Sequence, residues 1–305
     1  MIHTLASLLL GLTLCGWSAN GSADEFRKIT VYVTVDWEGW SLDDENIEAI
    51  QTFRQRHPHI PMLQLLNPAY FTRPDTDGTR IAQRIHSTLL PTDTHGLHLH
   101  AWKSLLGKCA VPYKSVPTFA TSHEECANGE CGYTVSLEYA YSQQALNQLV
   151  SCSVSLLVAH GFDRPRHFRA GGWQFGPKLT NALLANNFVF DSSRTDARFI
   201  ADKWGEDSPI ASMIRQLHPG ASPLDQPYEL ASGLMEYPNN GSLADYTSPH
   251  QLLGIFKSLL EHHKNVLVLG FHQETAFNYL SNLEDAIPLM EQAAQQAGVS
   301  LEWGR

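Results

Sequence analysis

Residues 29–38 read ITVYVTVDWE, a run of β-branched and aromatic residues that ends in two carboxylates, Asp36 and Glu38. Such a run favours a β-strand, and residues two apart on a strand point to the same face. Residues 96–100 read GLHLH and place His98 and His100 at the same spacing. Carboxylates and imidazoles at the ends of two predicted strands are the ligand types of a hydrolytic metal site.

Strand-like and helix-like patterns alternate along the rest of the chain. Residues 266–271, VLVLGF, form a continuous apolar run that is typical of a buried parallel strand. Residues 248–251, SPHQ, are a capping box with proline at the first helical position. Alternating β and α segments predict an α/β fold with a parallel sheet closed as a barrel. We find no repeat or linker, and we therefore expect a single domain.

Three segments have less regular patterns. Residues 195–229 are rich in Pro, Asp and Ser, and we expect irregular structure there. Ser281 and Glu284 have capping-box spacing, which predicts that the last helix begins at Ser281. A loop-rich insertion that carries three cysteines is expected after Trp102.

Ionisable residues fall at the carboxyl ends of five predicted strands. In α/β folds the active site lies at this edge of the sheet, so we expect these side chains to converge. They are Asp36 with Glu38, His98 with His100, Arg169, Asp191 and His272.

The three residues Glu38, His98 and His100 are sufficient to hold one divalent metal, with an open position for water. A second carboxylate, Asp36, is then available as the base that removes the proton of the water. Purely structural roles for both carboxylates stay open. A single Asp at a strand end is often a helix cap, and Glu38 is also compatible with a charged residue in a solvated loop.

Arg169 is suited to hold Asp36 ionised through a charge-assisted hydrogen bond. His272 is suited to protonate a leaving group, and Asp191 to orient His272 or raise its pKa. Arg169 as a structural ion-pair partner and His272 as a core histidine are the alternative interpretations. With the metal ligands, these residues form a complete set for hydrolysis of an amide or ester.

Three tryptophans, Trp37, Trp102 and Trp173, flank the motif residues. Their rings are compatible with the core and also with stacking against sugars, and the sequence leaves both interpretations open.

The N-terminus has the pattern of a signal peptide. Residues 5–14 are an apolar run too short to span a bilayer, and the small residues at 21–23 suit cleavage. We expect residues 1–23 to be removed, residues 24–305 to form the catalytic domain, and the protein to be secreted or periplasmic. No other segment has the length of a membrane helix, so we expect no transmembrane segment in the mature chain.

Cleavage there would leave four cysteines, at positions 109, 126, 131 and 152. An even number in an oxidising compartment favours two disulfides, and three pairings are open. The net charge is −10, so no basic surface indicates a nucleic-acid partner. The sequence does not indicate an oligomeric state.

In this order the motifs resemble those of a divergent branch of the polysaccharide deacetylase family (NodB-like, carbohydrate esterase family 4). The resemblance covers nearly the whole mature chain, from Ile29 to Trp303. The stretches that carry it are TVDWE at 34–38, GLHLHAW at 96–102, FRAGGW at 168–173, the weaker FDSS at 190–193, and LVLGFH at 267–272.

The resemblance implies a distorted (β/α) barrel that uses one divalent metal, commonly zinc, to remove N- or O-acetyl groups from a polysaccharide or other glycan. It implies metal ligation by Glu38, His98 and His100, and catalysis by Asp36 as base, Arg169 as its tether and His272 as acid. Trp37 stands where typical members have a second Asp, so an exchange of roles between Asp36 and Glu38 stays open.

Two other functions are compatible with the sequence. One is a glycan-binding protein of the same fold that has lost catalysis. The other is a glycosidase resembling family 18, whose signature also ends in Asp-Trp-Glu. The acidic ladder that such glycosidases carry at alternate positions is missing here, because Tyr32 and Thr34 occupy those places.

Overall fold

The structure is a computed structural model that describes residues 27–74, 76–121, 126 and 129–305. The predicted signal peptide, residues 1–23, lies outside the described residues. The described strands and helices alternate along most of the chain, as the sequence predicts. In chain order they are β1 (Lys28–Asp36), α1 (Asp44–Arg56), β2 (Met62–Leu66), α2 (Gly78–His86), β3 (Thr94–Leu99), α3 (Lys103–Lys108), α4 (Leu137–Ala140), α5 (Gln143–Ala159), β4 (His167–Ala170), α6 (Pro177–Ala185), β5 (Phe190–Asp191), α7 (Ala197–Trp204), α8 (Pro209–Leu217), β6 (Tyr228–Ala231), β7 (Leu234–Glu236), α9 (Pro249–Glu261), β8 (Val266–His272), α10 (Ala276–Ala297) and β9 (Ser300–Trp303).

The strands form one mixed sheet in the order β6-β7-β5-β4-β3-β2-β1-β8, and β9 pairs with the first half of β1. All neighbours are parallel except β6 and β7, which form an antiparallel pair. Because helices return the chain between parallel strands, the carboxyl ends of these strands share one edge. The result is a curled half-barrel in a single domain, which confirms the α/β barrel fold predicted from the sequence.

Strand β1 pairs with three other strands, β2, β8 and β9. Its odd-numbered residues from Ile29 to Val35 are at most 1% exposed and belong to the main apolar core. Its even-numbered residues include Tyr32 and Thr34, which line a cavity inside the sheet. Alternation on β1 therefore places Asp36 on the inner side, at the carboxyl edge.

The gap between the sheet edges is partly bridged by the segment after β7. Gly241 N donates to Val268 O at 2.9 Å, and Ala244 N donates to Gly270 O at 2.8 Å. Gly270 is required at this point of β8, because a Cβ atom there would lie 2.3 Å from the carbonyl oxygen of Thr34. These contacts bring residues 239–246 next to the end of β8.

The expectation of irregular structure over residues 195–229 was wrong in part. Helices α7 and α8 lie there, and Asp196 and Ser208 cap them by accepting hydrogen bonds from main-chain N–H groups. Both helices bury isoleucines, Ile200, Ile210 and Ile214, in a second apolar cluster. Their short length concealed the helical period.

The start of the last helix was also predicted wrongly, because α10 begins at Ala276 and contains Ser281 in its interior. Asn46 of α1 accepts the N–H of Phe277 at 2.9 Å. A contact with another helix therefore provides the acceptor for an N–H group in the first turn of α10. Because Asn46 is far away in the chain, the sequence around Ala276 carries no capping signal.

The four cysteines pair as Cys109–Cys152 and Cys126–Cys131. The first disulfide joins the end of α3 to α5, across a sequence separation of 43 residues, and the second closes a separation of 5. Two disulfides were predicted, and the structure selects one of the three pairings. Among the described helices, none is both long and apolar enough to cross a membrane.

Removal of Cys109–Cys152 is expected to destabilise the protein more than removal of Cys126–Cys131. Chain-entropy arguments give a stabilisation of about 4 kcal/mol for the longer loop and about 2 kcal/mol for the shorter one. The free energy of unfolding of Cys109→Ala/Cys152→Ala and of Cys126→Ala/Cys131→Ala, measured in urea, tests this order. Equal losses would contradict it.

Candidate active site

Glu38, His98 and His100 form a compact group at the carboxyl edge of the sheet. One ligand atom from each lies within 4.8 Å of the others, and the three residues are only 2–4% exposed. Glu38 Oε2 is 3.3 Å from His98 Nε2 and also contacts His100 Nε2. One carboxylate and two imidazoles are a donor set that suits a divalent metal with an open position.

Main-chain carbonyls orient both imidazole rings. His98 Nδ1 is 3.0 Å from the carbonyl oxygen of Arg169, and His100 Nδ1 is 2.6 Å from that of Tyr133. These contacts at Nδ1 leave Nε2 of each ring as the atom that faces Glu38. His100 Nε2 is buried and makes no hydrogen bond of acceptable geometry despite its proximity to Glu38. The residues therefore fit a metal ion, which would satisfy this nitrogen.

The carboxyl group of Glu38 favours the ionised form, which a metal ligand requires. Burial alone would raise the pKa of the Glu38 carboxyl, but the imidazoles of His100 and His98 outweigh burial and hold this pKa well below its usual range. A carboxylate that stays ionised is able to bind a cation.

Hydrogen bonds on both sides of the backbone hold the turn that carries Glu38. The carboxylate of Glu274 accepts from Glu38 N at 3.1 Å and from Trp40 N at 3.2 Å. The guanidinium of Arg73 donates to the carbonyl oxygens of Gly39 and Trp40. This turn is therefore fixed before any ligand binds.

The glycine in this turn is required by its conformation and its surroundings. Gly39 has φ +81°, and a Cβ atom there would lie 2.9 Å from the side chains of Ala69 and Asn67. The carbonyl oxygen of Glu38 accepts from Trp102 Nε1 at 2.7 Å and from Asn67 Nδ2 at 2.9 Å. Close packing thus adds to the hydrogen bonds that position Glu38.

Asp36 lies beside this group and is bound by Arg169. Arg169 Nη1 donates to Asp36 Oδ1 and to Thr34 Oγ1, each at 2.8 Å, and both charged residues are at most 1% exposed. Arg169 Nε donates to the carbonyl oxygen of Ser192 at 2.7 Å. The guanidinium thus joins β4 and the segment after β5 to β1, across the inside of the sheet.

His272 approaches Glu38 from the end of β8. Its Nε2 is 3.0 Å from Glu38 Oε1, and its Nδ1 is 3.1 Å from Asp245 Oδ1. Burial lowers the pKa of His272, but the carboxylates of Asp245 and Glu38 outweigh burial and raise it well above the usual range. These pKa effects favour the imidazolium form of His272, which lies between Glu38 and Asp245.

The role expected for Asp191 belongs to Asp245 instead. Asp191 points to Ser193, whose Oγ donates to its Oδ1 at 2.7 Å, and it is hydrogen-bonded to Glu236 on the adjacent strand. Burial raises the pKa of both carboxyls, and for Glu236 the neighbouring Asp191 raises it further, to well above the usual range. Asp191 therefore pairs with Glu236, and Asp245 is the carboxylate beside His272.

The three motif tryptophans are part of the core. Trp37, Trp102 and Trp173 are 0%, 1% and 3% exposed, so none offers a face to a sugar. Their indole N–H groups donate to Gln64, Glu38 and Asn239.

A comparison with solved structures adds to this geometry. A protein from Mycobacterium smegmatis that is assigned to the polysaccharide deacetylases matches with a TM-score of 0.52 and 12% identity, over 92% of this chain and 88% of that chain. This chain has the fold of the polysaccharide deacetylases. The family resemblance carried by the sequence motifs is thereby confirmed at the level of the fold.

Other structures with the deacetylase fold match with lower scores. A family 4 carbohydrate esterase from Streptomyces lividans, solved with acetate, gives a TM-score of 0.45 at 8% identity over 92% of each chain. A chitin deacetylase from Colletotrichum lindemuthianum gives 0.44 at 8% identity, over 90% of this chain and 85% of that chain. No family model matches the sequence, and no curated protein matches it either.

Sequence reasoning missed two residues that shape this version of the deacetylase fold. Asp245 lies in a loop between β7 and α9, without a periodic pattern to mark it. Glu274 directly follows the His272 motif, and a carboxylate two residues after a candidate acid was the one signal that could have drawn attention to it.

Glu274→Ala is expected to loosen the turn that carries Glu38. The change leaves the N–H groups of Glu38 and Trp40 without their acceptor, at a cost of about 1–3 kcal/mol. Supporting shells of this kind change metal affinity by about 10–100-fold when they are removed. Thermal unfolding and zinc titration test both effects. The control is Glu284→Ala, because Glu284 lies on α10 and forms an ion pair with Arg56 of α1. Unchanged zinc affinity would contradict the positioning role.

Glu236→Gln is expected to change how stability depends on pH. A carboxyl whose pKa is raised on folding stabilises the protein below its unfolded pKa, and this contribution is lost as pH rises through the folded pKa. Replacement of Glu236 removes the raised group. The difference in unfolding temperature, variant minus wild type, should therefore increase as pH rises from about 4 toward 8. Glu302→Gln, an exposed partner of Lys28, is the control, and a pH-independent difference would contradict the assignment.

Proposed function

We propose that this protein is a divalent-metal-dependent hydrolase that removes acetyl groups from a glycan. The observation that carries the proposal is the meeting of three units at one edge of the sheet. They are the Glu38–His98–His100 group, the Asp36–Arg169 pair and the His272–Asp245 pair. The fold shared with polysaccharide deacetylases supports the same reaction class.

Glu38, His98 and His100 would hold the metal, with zinc as the expected ion. A divalent ion bound there would lower the pKa of a water molecule and polarise the acetyl carbonyl oxygen. Asp36 lies outside the group whose ligand atoms converge, so we assign it the role of base and Glu38 that of ligand.

Asp36 removes the proton from the attacking water in this proposal. The hydrogen bond from Arg169 Nη1 to Asp36 Oδ1 orients the carboxylate, and Oδ2 accepts the proton. Because Asp36 and Arg169 are both buried, neither side chain is able to turn toward solvent, and the orientation of the carboxylate is fixed.

His272 gives a proton to the amine or alkoxide that leaves. Asp245 at Nδ1 holds the ring so that Nε2 faces the site, and it stabilises the imidazolium by opposite charge. The free acetate and the deacetylated sugar are the products.

The glycosidase interpretation is disfavoured by the electrostatics of Glu38. A glycosidase needs a carboxylic acid of raised pKa to protonate the glycosidic oxygen, whereas the imidazoles hold the pKa of Glu38 well below its usual range. An inactive glycan-binding protein of the same fold is the remaining alternative, and turnover decides it.

We further propose that the protein acts outside the cytoplasm, in the periplasm or as a secreted enzyme. The disulfides Cys109–Cys152 and Cys126–Cys131 support an oxidising compartment.

Purified wild-type protein is expected to bind about one equivalent of zinc or a similar ion, and His98→Ala/His100→Ala is expected to lose it. Elemental analysis after gel filtration measures both. His250→Ala/His262→Ala, which replaces two exposed histidines, is the matched control. A full equivalent of metal in His98→Ala/His100→Ala would refute the ligand assignment.

Asp36→Asn is expected to keep the metal and to lose turnover, by about 10²–10⁴-fold in kcat for acetate release from acetylated oligosaccharides. The amide still offers an oxygen to Arg169, and circular dichroism verifies folding. Loss of metal in Asp36→Asn, with retention in Glu38→Gln, would mean that the two roles are exchanged. Metal binding without acetate release in wild type would favour the glycan-binding protein.

A further inference from the structure

Tyr133 makes two contacts with the candidate metal ligand His100. Its carbonyl oxygen lies 2.6 Å from His100 Nδ1. Its ring stacks on the imidazole ring, with centroids 4.2 Å apart and an interplanar angle of 14°. Every residue type offers a main-chain carbonyl, so the orientation of His100 does not by itself explain a tyrosine at this position.

The two contacts fix the direction in which the phenol ring extends. The carbonyl oxygen marks the backbone end of Tyr133, and this end lies at His100 Nδ1. In a tyrosine side chain the hydroxyl group stands at the end of the ring opposite the backbone. Because the ring lies over the imidazole, it extends toward the side away from Nδ1, where His100 Nε2 contacts Glu38.

The charges around the Tyr133 hydroxyl group agree with this direction. Burial raises the pKa of this hydroxyl well above its usual range, and among the neighbouring groups the carboxylate of Glu38 raises it most. Coulomb interactions weaken with distance, so the hydroxyl group lies near the carboxylate of the candidate metal site.

The backbone before Tyr133 is fixed by the segment that follows His100. Lys103 N donates to the carbonyl oxygen of Cys131 at 2.9 Å. Gly132 packs so closely that a Cβ atom there would lie 2.1 Å from the carbonyl oxygen of Ala101. A donor held in this way needs little reorganisation when a reacting group arrives.

A hydroxyl group at this place suits one step of the proposed reaction. Tyrosine is an O–H donor near neutral pH. The carbonyl oxygen of an acetyl group gains negative charge when water adds to the carbonyl carbon, and hydrogen-bond donors directed at that oxygen accelerate acyl transfer. In the proposed reaction this oxygen enters the space in front of Glu38 Oε2 and His100 Nε2, on the side toward which the phenol extends.

We propose that the hydroxyl group of Tyr133 donates a hydrogen bond to the carbonyl oxygen of the acetyl group, which makes Tyr133 a further catalytic residue. The inference rests on the proposed function and deepens it. As the bond between the water oxygen and the carbonyl carbon forms, the π electrons of the carbonyl group move onto its oxygen, and the O–H group stabilises this charge while it keeps its own proton. When the carbonyl group forms again, the bond to the sugar nitrogen or oxygen breaks, and the leaving atom takes the proton of His272.

Binding of methylphosphonate to the zinc-loaded protein tests this hydrogen bond without turnover. Like the adduct of water and an acetyl group, methylphosphonate has a methyl group on a tetrahedral, negatively charged centre. Tyr133→Phe keeps the stacked ring and the carbonyl group. We expect it to keep its zinc and to bind methylphosphonate at least about tenfold more weakly than wild type, because a charge-assisted hydrogen bond is lost.

The matched control is Tyr139→Phe, which changes a tyrosine that is 43% exposed on α4 and should bind methylphosphonate as wild type does. Equal binding by wild type and Tyr133→Phe, or no binding by wild type, would overturn the inference. Loss of zinc by Tyr133→Phe would overturn it as well, because the side chain would then act only by positioning His100.

Hydrolysis of p-nitrophenyl acetate and of tetra-N-acetylchitotetraose separates this inference from the proposed function. The p-nitrophenolate ion leaves without a proton, so a slower reaction of this ester reports on the carbonyl oxygen and not on the leaving group. A lone oxyanion donor is worth about 10²–10³-fold in kcat; where a metal shares the charge, we expect Tyr133→Phe to lose at least about tenfold on both compounds. Unchanged kcat on both refutes the role of Tyr133 and leaves the hydrolase in place, whereas absence of hydrolysis by wild type refutes the proposed function.

Discussion

The buried guanidinium of Arg169 is the constraint on which the inner side of this sheet depends. It is fully buried and donates to Asp36, Thr34 and Ser192. Removal of one partner from such a buried pair costs about 3–5 kcal/mol, because an uncompensated charge remains. The ion pair between Asp36 and Arg169 therefore holds the carboxyl ends of β1 and β4 together.

The same residue contributes to the site twice. Its side chain holds Asp36, and its carbonyl oxygen accepts from His98 Nδ1. A single position on β4 thus orients both the candidate base and one candidate ligand. Gly171 follows closely, and a Cβ atom there would lie 2.5 Å from the ring of His100. Residues 169–171 therefore shape the space in which the imidazoles stand.

Supporting contacts surround the site in layers. Glu274 and Arg73 fix the turn of Glu38, and Asp245 fixes His272. The hydrogen bonds that hold the turn of Glu38 also hold the backbone of Trp40, whose side chain is 51% exposed.

The sequence by itself determined the strands, the edge at which they end and the residue types placed there. The alternation in β1 and the apolar run of β8 depend only on local chemistry, so local patterns were enough to place Asp36, Glu38, His98, His100, Arg169 and His272 at that edge. Tertiary structure decided the rest: the partner of His272, the start of α10, the disulfide pairing and the burial of Trp37 against the exposure of Trp40. Each of these depends on contacts between segments far apart in the chain, and such contacts leave no periodic signal in either segment.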